Sequence, residues 1–425
     1  MDLFSEFEWR GMVYDATEGL REALTTGRVT AYIGFDPTAP SLHAGNLLTV
    51  MGLARLQRFG HTPIAIVGGG TGMIGDPSGK SQERVLLSAD QVEANVTGIR
   101  DELARFLDFD AATNPARIVN NADWLGTIDV LTFLRDVGKH FTVNYMLQKE
   151  SVSRRLEGEE GISYTEFSYL VLQAYDFVQL FDRFGCTLQM GGSDQWGNIT
   201  AGIDLIRKLR GTKAHGLVWP LMTTASGAKF GKTEAGAVWL DPARTSPFRF
   251  YQFWHNTDDR DVVPYLKYFT FLDHPTIAAL SEVAAREPEK REAQRALAAH
   301  VTDLVHGAPQ RLRAEQASAL LFRGDVRQAS KEDILMVFED VPSTELGREE
   351  FAGDGIAVTR LITASGLEPS TSAAVRLVKG GGFYLNDDRI ASEKARISID
   401  RAIDGELFML RKGQRERRLV RVKQP

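Results

Sequence analysis

Short apolar runs alternate with longer segments of helical periodicity through the first half of the chain. Apolar runs predict strands, and apolar positions that recur every three or four residues predict helices. The predicted strands are 29–35, 63–67, 117–120, 187–190 and 216–221. The predicted helices are 43–59, 89–106, 128–137, 164–184 and 194–209.

Strands that alternate with helices predict an α/β fold, with a Rossmann-like, doubly wound parallel sheet covered by helices on both faces. Ligands of such sheets bind beyond the carboxyl ends of the strands. The loops after Phe35, Val67 and Met190 should therefore open into one site. This pattern predicts a first domain over 1–241.

The pattern changes twice after residue 241. Residues 242–330 show only helical periodicity, which predicts an all-helical domain. Residues 331–355 hold eight carboxylates against Lys331 and Arg348 and read as an acidic linker. Residues 356–425 combine two helix-like segments with a short strand at 383–386, which predicts a small α+β domain with a basic end.

Composition narrows the classes of protein that fit. A length of 425 residues suits about three domains. The net charge of −6 argues against a uniformly basic nucleic-acid binder but leaves room for a local basic surface. Cys186 is the only cysteine, which excludes an intrachain disulfide and suits the cytoplasm. No apolar run is long enough to span a membrane, and the acidic N-terminus lacks a cationic signal start.

Segment 32–47 reads as strand, loop and helix. Its loop places Thr38 and His43 near the first turn of the helix, where free N–H groups and the helix dipole favour an anion such as phosphate. No nucleophile–base pair lies in this stretch, so the expected chemistry is electrostatic stabilisation of a polyphosphate. A plain scaffold turn is the alternative.

A glycine-rich loop follows the second predicted strand at 68–81. It is not a P-loop, because Ile74 stands where that motif requires glycine. The glycines still allow close backbone approach to a ligand. Lys80 and Arg84 follow, either as cations that reach phosphate or as charges on a flexible surface loop.

Three further groups carry candidate chemistry. Tyr169, Gln173 and Asp176 share one helix face, which is either solvated or the polar wall of a pocket. The turn 191–196, G-G-S-D-Q-W, allows close backbone approach or simply caps a helix. Lys229 and Lys232 in K-F-G-K-T are either surface charge or cations that close on a leaving group.

These motifs, in this order, resemble the class I aminoacyl-tRNA synthetases. The segment L-H-A-G-N at 42–46 is similar to their first signature, with Ala44 and Asn46 in place of isoleucine and the second histidine. K-F-G-K-T resembles the second signature. The motifs Y-I-G-F-D-P-T, G-D-P-S-G and S-Y-x-x-L-Q-A-Y-D are most similar to bacterial-type tyrosyl-tRNA synthetases, and 359–390 resembles a small RNA-binding module of a ribosomal protein.

The resemblance implies a tyrosine site. Tyr32 and Asp176 would hydrogen-bond the phenolic hydroxyl, so phenylalanine would leave buried polar groups unpaired at a cost of about 1–3 kcal/mol each. The amino group would be bound by Asp76, Tyr169 and Gln173. Gln195 would lie near the carboxylate.

The resemblance also implies an ATP site. Residues expected to bind ATP are Gly34, Asp36, His43, Gly45, Asn46, Gly192, Asp194 and Lys232. Residues expected to stabilise the transition state are Thr38, His43, Lys80, Arg84, Lys229, Lys232 and Thr233. ATP is a substrate accompanied by Mg²⁺, and neither a protein metal site nor a bound prosthetic group is expected. Ile33 replaces a cysteine that can contact the ribose, which would slightly weaken ATP binding.

The implied reaction joins tyrosine to its tRNA through tyrosyl-adenylate. The implied partners are tyrosine, ATP, tRNA and a second copy of the chain, with 133–146 as the candidate dimer interface. Domain 242–330 would contact tRNA, and in domain 356–425 Lys379, Arg389 and the basic cluster 411–423 would contact phosphates. Two alternatives stay open: a related ligase for another amino acid such as tryptophan, and a non-catalytic RNA-binding protein with this fold.

Overall fold

The computed structural model divides the chain into two compact units. The first comprises Met1–Thr245 with Phe253–Val305, and the second comprises Ser246–Gln252 with His306–Pro425. The structure describes residues 1–78, 87–158, 161–225, 227, 230–233, 236–323, 331–339, 341–413 and 416–423, and only the backbone of residues 232, 233, 320–323 and 333. The helical segment predicted at 242–330 is therefore shared between both units.

A six-stranded sheet forms the centre of the first unit. Its strands are β1 (Asp15–Ala16), β2 (Thr30–Phe35), β3 (Thr62–Val67), β4 (Arg117–Asn120), β5 (Cys186–Gly192) and β6 (His215–Trp219). They lie in the order β1-β6-β5-β2-β3-β4, and only β1 is antiparallel to its neighbour. The predicted parallel α/β sheet is confirmed, and β1 is an addition that a two-residue strand could not signal.

Helices surround this sheet. They are α1 (Leu3–Trp9), α2 (Leu20–Thr26), α3 (Leu47–Arg58), α4 (Ala89–Leu103), α5 (Ala122–Leu125), α6 (Val130–Thr132), α7 (Val143–Leu147), α8 (Glu150–Leu156), α9 (Tyr164–Phe184) and α10 (Trp196–Arg210). The predicted helix 128–137 is instead the short α6 followed by a π-helical turn, Phe133–Val137. None of the helices in the described ranges has the length and apolar character that a membrane span requires.

Local sequence explains where the long helices begin and end. Ser163 accepts a hydrogen bond from the Glu166 N–H at 3.2 Å and caps the start of α9. Gly185 ends α9 in the left-handed conformation, with φ of 62°, which a side chain would disfavour. Between these caps, Ala174 and Phe177 are fully buried against the sheet. Cys186, the first residue of β5, is also fully buried, and burial raises the pKa of its thiol.

Four further α-helices lie between residues 245 and 307. They are α11 (Pro247–His255), α12 (Asp259–Phe269), α13 (His274–Arg286) and α14 (Glu292–His306). Two buried arginines hold the C-terminal end of α12. Arg10 Nη1 donates to the Lys267 carbonyl at 2.8 Å, and Arg55 Nη2 donates to the Thr270 carbonyl at 2.7 Å. These bonds satisfy carbonyls that the end of a helix leaves unpaired.

Within its described residues, the second unit contains four complete helices and a five-stranded sheet. The helices are α15 (Ala308–Arg323), α16 (Lys331–Val337), α17 (Val358–Ala364) and α18 (Thr371–Lys379). The strands are β9 (Ser343–Gly347), β11 (Phe383–Leu385), β12 (Asp388–Arg389), β14 (Leu407–Lys412) and β15 (Glu416–Lys423), in the order β12-β11-β14-β15-β9. A short pair, β10 (Ile356–Ala357) with β13 (Arg396–Ile397), also lies in this unit. In the first unit, β7 (Lys232–Thr233) pairs with β8 (Gly236–Ala237).

The structure corrects one prediction in this unit. Segment 331–355 is not only a linker, because it supplies α16 and β9, and β9 pairs in parallel with β15. Leu346 and Phe351 from this segment are buried in the core. The basic end of the chain forms β15, which is paired on both sides and buries Leu419 and Val420.

Candidate functional site

The carboxyl ends of β2, β3 and β5 open into a cleft of about 650 Å³. This volume suits a small-molecule ligand, since such sites usually measure roughly 300–1,000 Å³. Most of the site residues predicted from the sequence line this cleft: Tyr32, Gly34, Asp36, Thr38, His43, Gly45, Asn46, Tyr169, Gln173, Asp176, Gly192, Asp194 and Gln195.

A buried carboxylate, Asp176, marks one end of the cleft. Its side chain is 3% exposed and accepts two hydrogen bonds, from Asn121 Nδ2 at 2.9 Å and Trp124 Nε1 at 2.7 Å. The nearby hydroxyl of Tyr32 is buried and has no hydrogen-bond partner among the described residues. An unpaired buried hydroxyl costs free energy, so it is a ready partner for a polar group on a ligand.

Electrostatics tune this end of the cleft. Burial raises the pKa of the Asp176 carboxyl to about 7, and the negative charge of Asp36 adds to the rise. The donors on Asn121 and Trp124 act in the opposite direction, because they stabilise the ionised form. Burial and the charge of Asp176 raise the pKa of Tyr32 well above its usual value, so this hydroxyl keeps its proton.

A second polar cluster surrounds Asp36 at the end of β2. Thr71 Oγ1 donates to Asp36 Oδ1 at 2.9 Å, and the Tyr169 hydroxyl donates to Asp36 Oδ2 at 2.8 Å. Burial raises the pKa of Tyr169, and the charges of Asp36 and Asp76 add to this effect. Two carboxylates close to one phenol create a negative region that favours a cationic group on a ligand.

Three polar side chains connect Asp76 to α9 and α10. Gln195 Nε2 donates to Asp76 Oδ2 at 2.7 Å, and Gln173 Nε2 donates to Gln195 Oε1 at 3.2 Å. Asn198 Nδ2 donates to Gln173 Oε1 at 3.0 Å. The backbone N–H of Ser78 donates to Asp76 Oδ1 at 2.9 Å. This hydrogen-bond network therefore fixes the Asp76 side chain, although Asp76 itself is not among the residues that line the cleft.

Main-chain contacts build the opposite end of the cleft. The Ala44 N–H donates to the Val238 carbonyl at 2.7 Å, and the Val238 N–H donates to the Gly231 carbonyl at 3.1 Å. A Cβ atom on Gly231 would lie 2.5 Å from the Gly45 nitrogen, and the φ of Gly231 is +82°. Only glycine permits this approach. The two segments that resemble class I signatures are therefore in direct contact.

His43 and Asn46 form the start of the helical segment. The His43 N–H donates to Asn46 Oδ1 at 3.0 Å, so Asn46 pairs one of the unsatisfied amides of a helix start. The short 3₁₀ turn Ala44–Asn46 leads into α3. Thr38 and Gly34 are exposed in the cleft. The predicted strand–loop–helix with Thr38 and His43 at its turn is what the structure shows.

Phe230 anchors the K-F-G-K-T segment. It is 4% exposed and contacts four aromatic rings, of which Tyr265 at 5.0 Å and Phe269 at 5.3 Å between centroids are the nearest. Trp254 and Phe253 complete the cage. Aromatic pairs at these separations add to the stabilisation from burial.

Several predicted cations cannot be placed. Lys80, Arg84 and Lys229 lie outside the described residues. Lys232 and Thr233 are described by their backbone, which forms β7. Within the described residues, no group of three or more His, Cys, Asp or Glu side chains could hold a metal ion.

The sequence analysis missed four polar residues that line the cleft, Thr71, Ser78, Asn121 and Gln189. It also missed Trp124 and Asn198, which donate hydrogen bonds to Asp176 and Gln173. Asn121 follows β4, and a polar residue just beyond a parallel strand is a signal for a site residue. Gln189 is 2% exposed, and its Oε1 has no partner among the described residues. It stands beside Tyr32 in the β2–β5 register, within an otherwise apolar strand. The solvated-face alternative for α9 is wrong, since Tyr169 and Asp176 are buried.

Comparisons with known proteins agree with this geometry. Residues 24–323 match the family model described as tRNA synthetases class I (W and Y), and residues 333–420 match the tyrosine--tRNA ligase SYY-like C-terminal domain. A crystal structure of a C-terminally truncated Aspergillus nidulans mitochondrial tyrosyl-tRNA synthetase is similar at a TM-score of 0.70 and 32% identity. The alignment covers 76% of this chain and 94% of that one. The fold and the site thus define a class I tRNA synthetase.

Full-length relatives narrow the class. The chain is 55% identical to a tyrosine--tRNA ligase of Roseiflexus castenholzii over 420 residues, which cover 99% of both chains. It is 51% identical to a tyrosine--tRNA ligase of Geobacillus stearothermophilus over 424 residues, covering 99% of this chain and 100% of the relative. The chain belongs to the tyrosine--tRNA ligase family.

Proposed function

We propose that the chain activates tyrosine with ATP and then transfers the tyrosyl group to the 3′-terminal ribose of tRNA. In the first step the tyrosine carboxylate attacks the α-phosphate, which yields tyrosyl-adenylate and pyrophosphate. The ribose hydroxyl of tRNA then attacks the acyl carbon. The observation that carries this proposal is the buried Tyr32 hydroxyl, which has no hydrogen-bond partner among the described residues and lies near the buried Asp176 carboxylate.

Tyrosine would lie with its ring between β2 and α9. Its phenol would donate to Asp176 and contact the Tyr32 hydroxyl. Its ammonium group would face Asp76, Tyr169 and Gln173, where the carboxylates of Asp36 and Asp76 favour positive charge. Gln195 would then lie near the tyrosine carboxylate, so the reacting atoms point toward the nucleotide end of the cleft.

ATP would occupy the end that the two signature segments form. Gly34, Asp36, Gly45, Asn46, Gly192 and Asp194 would hold the nucleoside and its sugar. Thr38 and His43 would stabilise the phosphates, and Lys80, Arg84, Lys229, Lys232 and Thr233 would close over pyrophosphate as charge accumulates on it. Mg²⁺ would arrive with the phosphates of ATP, which supply hard oxygen ligands.

The second unit would bind tRNA. Arg389 and Arg421 are exposed there and available for phosphates. Other basic side chains are already paired, such as Lys379 with Glu393 at 3.3 Å and Lys423 with Glu345 at 3.1 Å. Replacing Arg421 with Glu should weaken tRNA charging and leave adenylate formation unchanged. Equal loss of both reactions would contradict this role.

A second copy of the chain would bind the apolar surface around the predicted interface 133–146. Leu131 is 74% exposed, Leu134 48% and Val143 59%, whereas Phe133 and Phe141 pack inward against the core. Exposed apolar groups of this kind mark association surfaces. Sedimentation should show a dimer that Leu134→Glu dissociates, and a monomeric wild-type chain would contradict the proposal. A cytoplasmic location is part of the same proposal.

The decisive experiment is amino-acid-dependent exchange of labelled pyrophosphate into ATP, run with all twenty amino acids and without tRNA. Exchange with tyrosine alone is the expected result. Exchange with tryptophan or another amino acid would overturn the roles of Tyr32 and Asp176. No exchange from folded protein with Mg²⁺ present would favour the non-catalytic RNA-binding alternative.

A further inference from the structure

One face of α4 contacts the loop 37–42, which joins β2 to the first signature segment. The face consists of Asn95, Gly98 and Glu102, spaced three and four residues apart, so their side chains point in one direction from the helix. None of the three is among the residues that line the cleft. Any effect of this face on ligands must therefore pass through the loop.

Each residue of the face meets a different part of the loop. Asn95 Nδ2 donates to the Pro37 carbonyl at 2.8 Å. Glu102 accepts from Ser41 Oγ at 2.6 Å and from the Leu42 N–H at 2.7 Å, one bond on each carboxylate oxygen. These bonds fix the two ends of the loop, next to Thr38 and next to His43.

Gly98 sits between the two polar anchors and makes the close packing possible. A Cβ atom at this position would lie 2.2 Å from the Pro40 carbonyl oxygen, well inside any van der Waals contact. Its φ lies outside the left-handed region, so glycine is required here for space rather than for backbone conformation. The middle of the loop therefore rests directly on the helix backbone.

Glu102 is a buried acid for which the proposed reaction has no use. It is 6% exposed, and burial raises the pKa of its carboxyl, while the bonds from Ser41 and Leu42 lower it. Burying a carboxylate costs free energy unless donors compensate. Both hydrogen bonds to the carboxylate come from the loop, so Glu102 keeps them only when the loop lies against α4.

The other side of the loop is held by segment 238–241. The Leu240 N–H donates to the Leu42 carbonyl at 2.9 Å, and the Asp241 N–H donates to Ser41 Oγ at 3.2 Å. Ser41 and Leu42 are thus fixed from two directions. The Ser41 hydroxyl lies 2.8 Å from the Leu42 carbonyl as well, so it has a second acceptor if it turns away from Glu102.

We propose that Glu102 is a positioning residue for ATP, which acts by holding loop 37–42 so that Thr38 and His43 face the triphosphate. The proposal rests on the proposed assignment of Thr38 and His43 to ATP. Gly98 and Asn95 serve the same purpose at the middle and start of the loop. Small displacements of such groups lower the rate strongly, because transition-state contacts depend on geometry.

The test compares variants by steady-state pyrophosphate exchange and by equilibrium dialysis of tyrosine without ATP. Glu102→Leu removes both acceptors and should raise KM for ATP or lower kcat about tenfold. Glu102→Gln should stay within about threefold of wild type. Its Oε1 can accept from Leu42 while its Nε2 donates to Ser41. Tyrosine binding should stay within about twofold in both variants.

Gly98→Ala provides a second variant, in which the higher helix propensity of alanine offsets part of the cost of the clash with the Pro40 carbonyl. Its methyl group should displace the Pro40 carbonyl and change the ATP parameters as Glu102→Leu does. Asp101→Asn and Thr97→Ala are matched controls, because both residues are exposed on α4 beside the altered positions. Both controls should behave as wild type. If Glu102→Leu does not fold, Gly98→Ala decides the question.

Three results would overturn the proposal. The first is that kcat and KM for ATP are unchanged in Glu102→Leu and Gly98→Ala, while His43→Ala still raises KM for ATP. Equal increases of KM for tyrosine and for ATP, together with a lower melting temperature, would indicate a merely structural role. If Glu102→Gln is as impaired as Glu102→Leu, hydrogen bonding to the loop is not the cause of the effect on ATP. If His43→Ala also has no effect, the proposed ATP site itself is wrong.

Discussion

The two ends of the cleft are built from different parts of the chain. The end assigned to the tyrosine phenol consists of buried side chains, such as Asp176 with its donors Asn121 and Trp124. The end assigned to ATP consists of backbone contacts, such as Ala44 to Val238. Fixed, desolvated side chains suit discrimination between amino acids, since an unmatched ligand leaves them unpaired. Apposed loops suit contacts that form as charge develops on phosphate.

The comparison makes the two ends separable by experiment. Changes at the Asp176 end should act on tyrosine binding and leave KM for ATP intact. Changes at the signature segments should act on ATP and on kcat. A substitution that changes tyrosine binding and KM for ATP equally would show that the two ends of the cleft are not independent.

Asp176→Asn should have the largest effect. The phenol would lose a charged acceptor, and hydrogen bonds to charged groups contribute roughly 1.5–3 kcal/mol. We expect kcat/KM for tyrosine to fall by about 100-fold in pyrophosphate exchange, with little change in KM for ATP. Asp182→Asn is the matched control, because Asp182 is an exposed carboxylate on the same helix. Near-normal activity of Asp176→Asn would refute the phenol assignment.

Phe230→Ala tests the aromatic anchor of the second signature segment. Removing a buried phenylalanine should lower the free energy of unfolding by about 3–5 kcal/mol. The loosened segment should also lower kcat for activation about tenfold, while tyrosine still binds. Phe230→Leu keeps an apolar anchor, so its free energy of unfolding and its kcat should lie between those of Phe230→Ala and wild type. Unchanged kcat in Phe230→Ala would mean that the cage stabilises the fold alone.

Tyr32→Phe removes a hydroxyl that has no partner among the described residues. The melting temperature should therefore stay the same or rise, since no bond within this part of the chain is lost. Tyrosine binding should weaken by about tenfold or less, the value of one neutral hydrogen bond. Differential scanning calorimetry and equilibrium dialysis measure the two effects. A marked drop in melting temperature would show that the hydroxyl already stabilises the empty protein.

The smallest effect should come from pH. The pKa of Asp176 is raised to about 7, so its carboxyl takes up a proton as the pH falls from 8 to 6. A protonated carboxyl no longer accepts the phenol proton as an anion, so tyrosine binding should weaken severalfold over this range. The stability of the fold should change with pH in the opposite direction to tyrosine binding. An acid with a raised pKa stabilises the native state at low pH and loses that contribution as pH rises toward 7. Asp176→Asn should abolish both trends.

The sequence predicted best where its signals were local. Helix α9 has the predicted bounds, because Ser163 and Gly185 mark its two ends within the sequence. The predicted parallel sheet was also correct, since most of its strands contain a compact apolar run. Strand β15 was missed because its arginines drew attention to charge, although Leu419 and Val420 carry an apolar core face. Its partner β9 lies far away in sequence, so no local pattern reveals the pairing.

The same limit applies to the site. Motif spacing placed Tyr169, Gln173 and Asp176 on one face, and the structure brings them to the cleft. The donors to Asp176 lie 52 and 55 residues away, and only the fold brings them together. Glu102 was invisible for the same reason: it touches no ligand site directly and contacts the loop from 60 residues away.

The burial of Cys186 has a practical consequence. The only thiol of the chain is inaccessible to solvent, and its raised pKa keeps it protonated and a poor nucleophile. The native protein therefore gives little background with maleimide or iodoacetamide dyes. A cysteine introduced at an exposed position, for instance Thr97→Cys, would carry a single label. Such a label leaves every natural residue of the cleft in place, because Thr97 does not line the cleft.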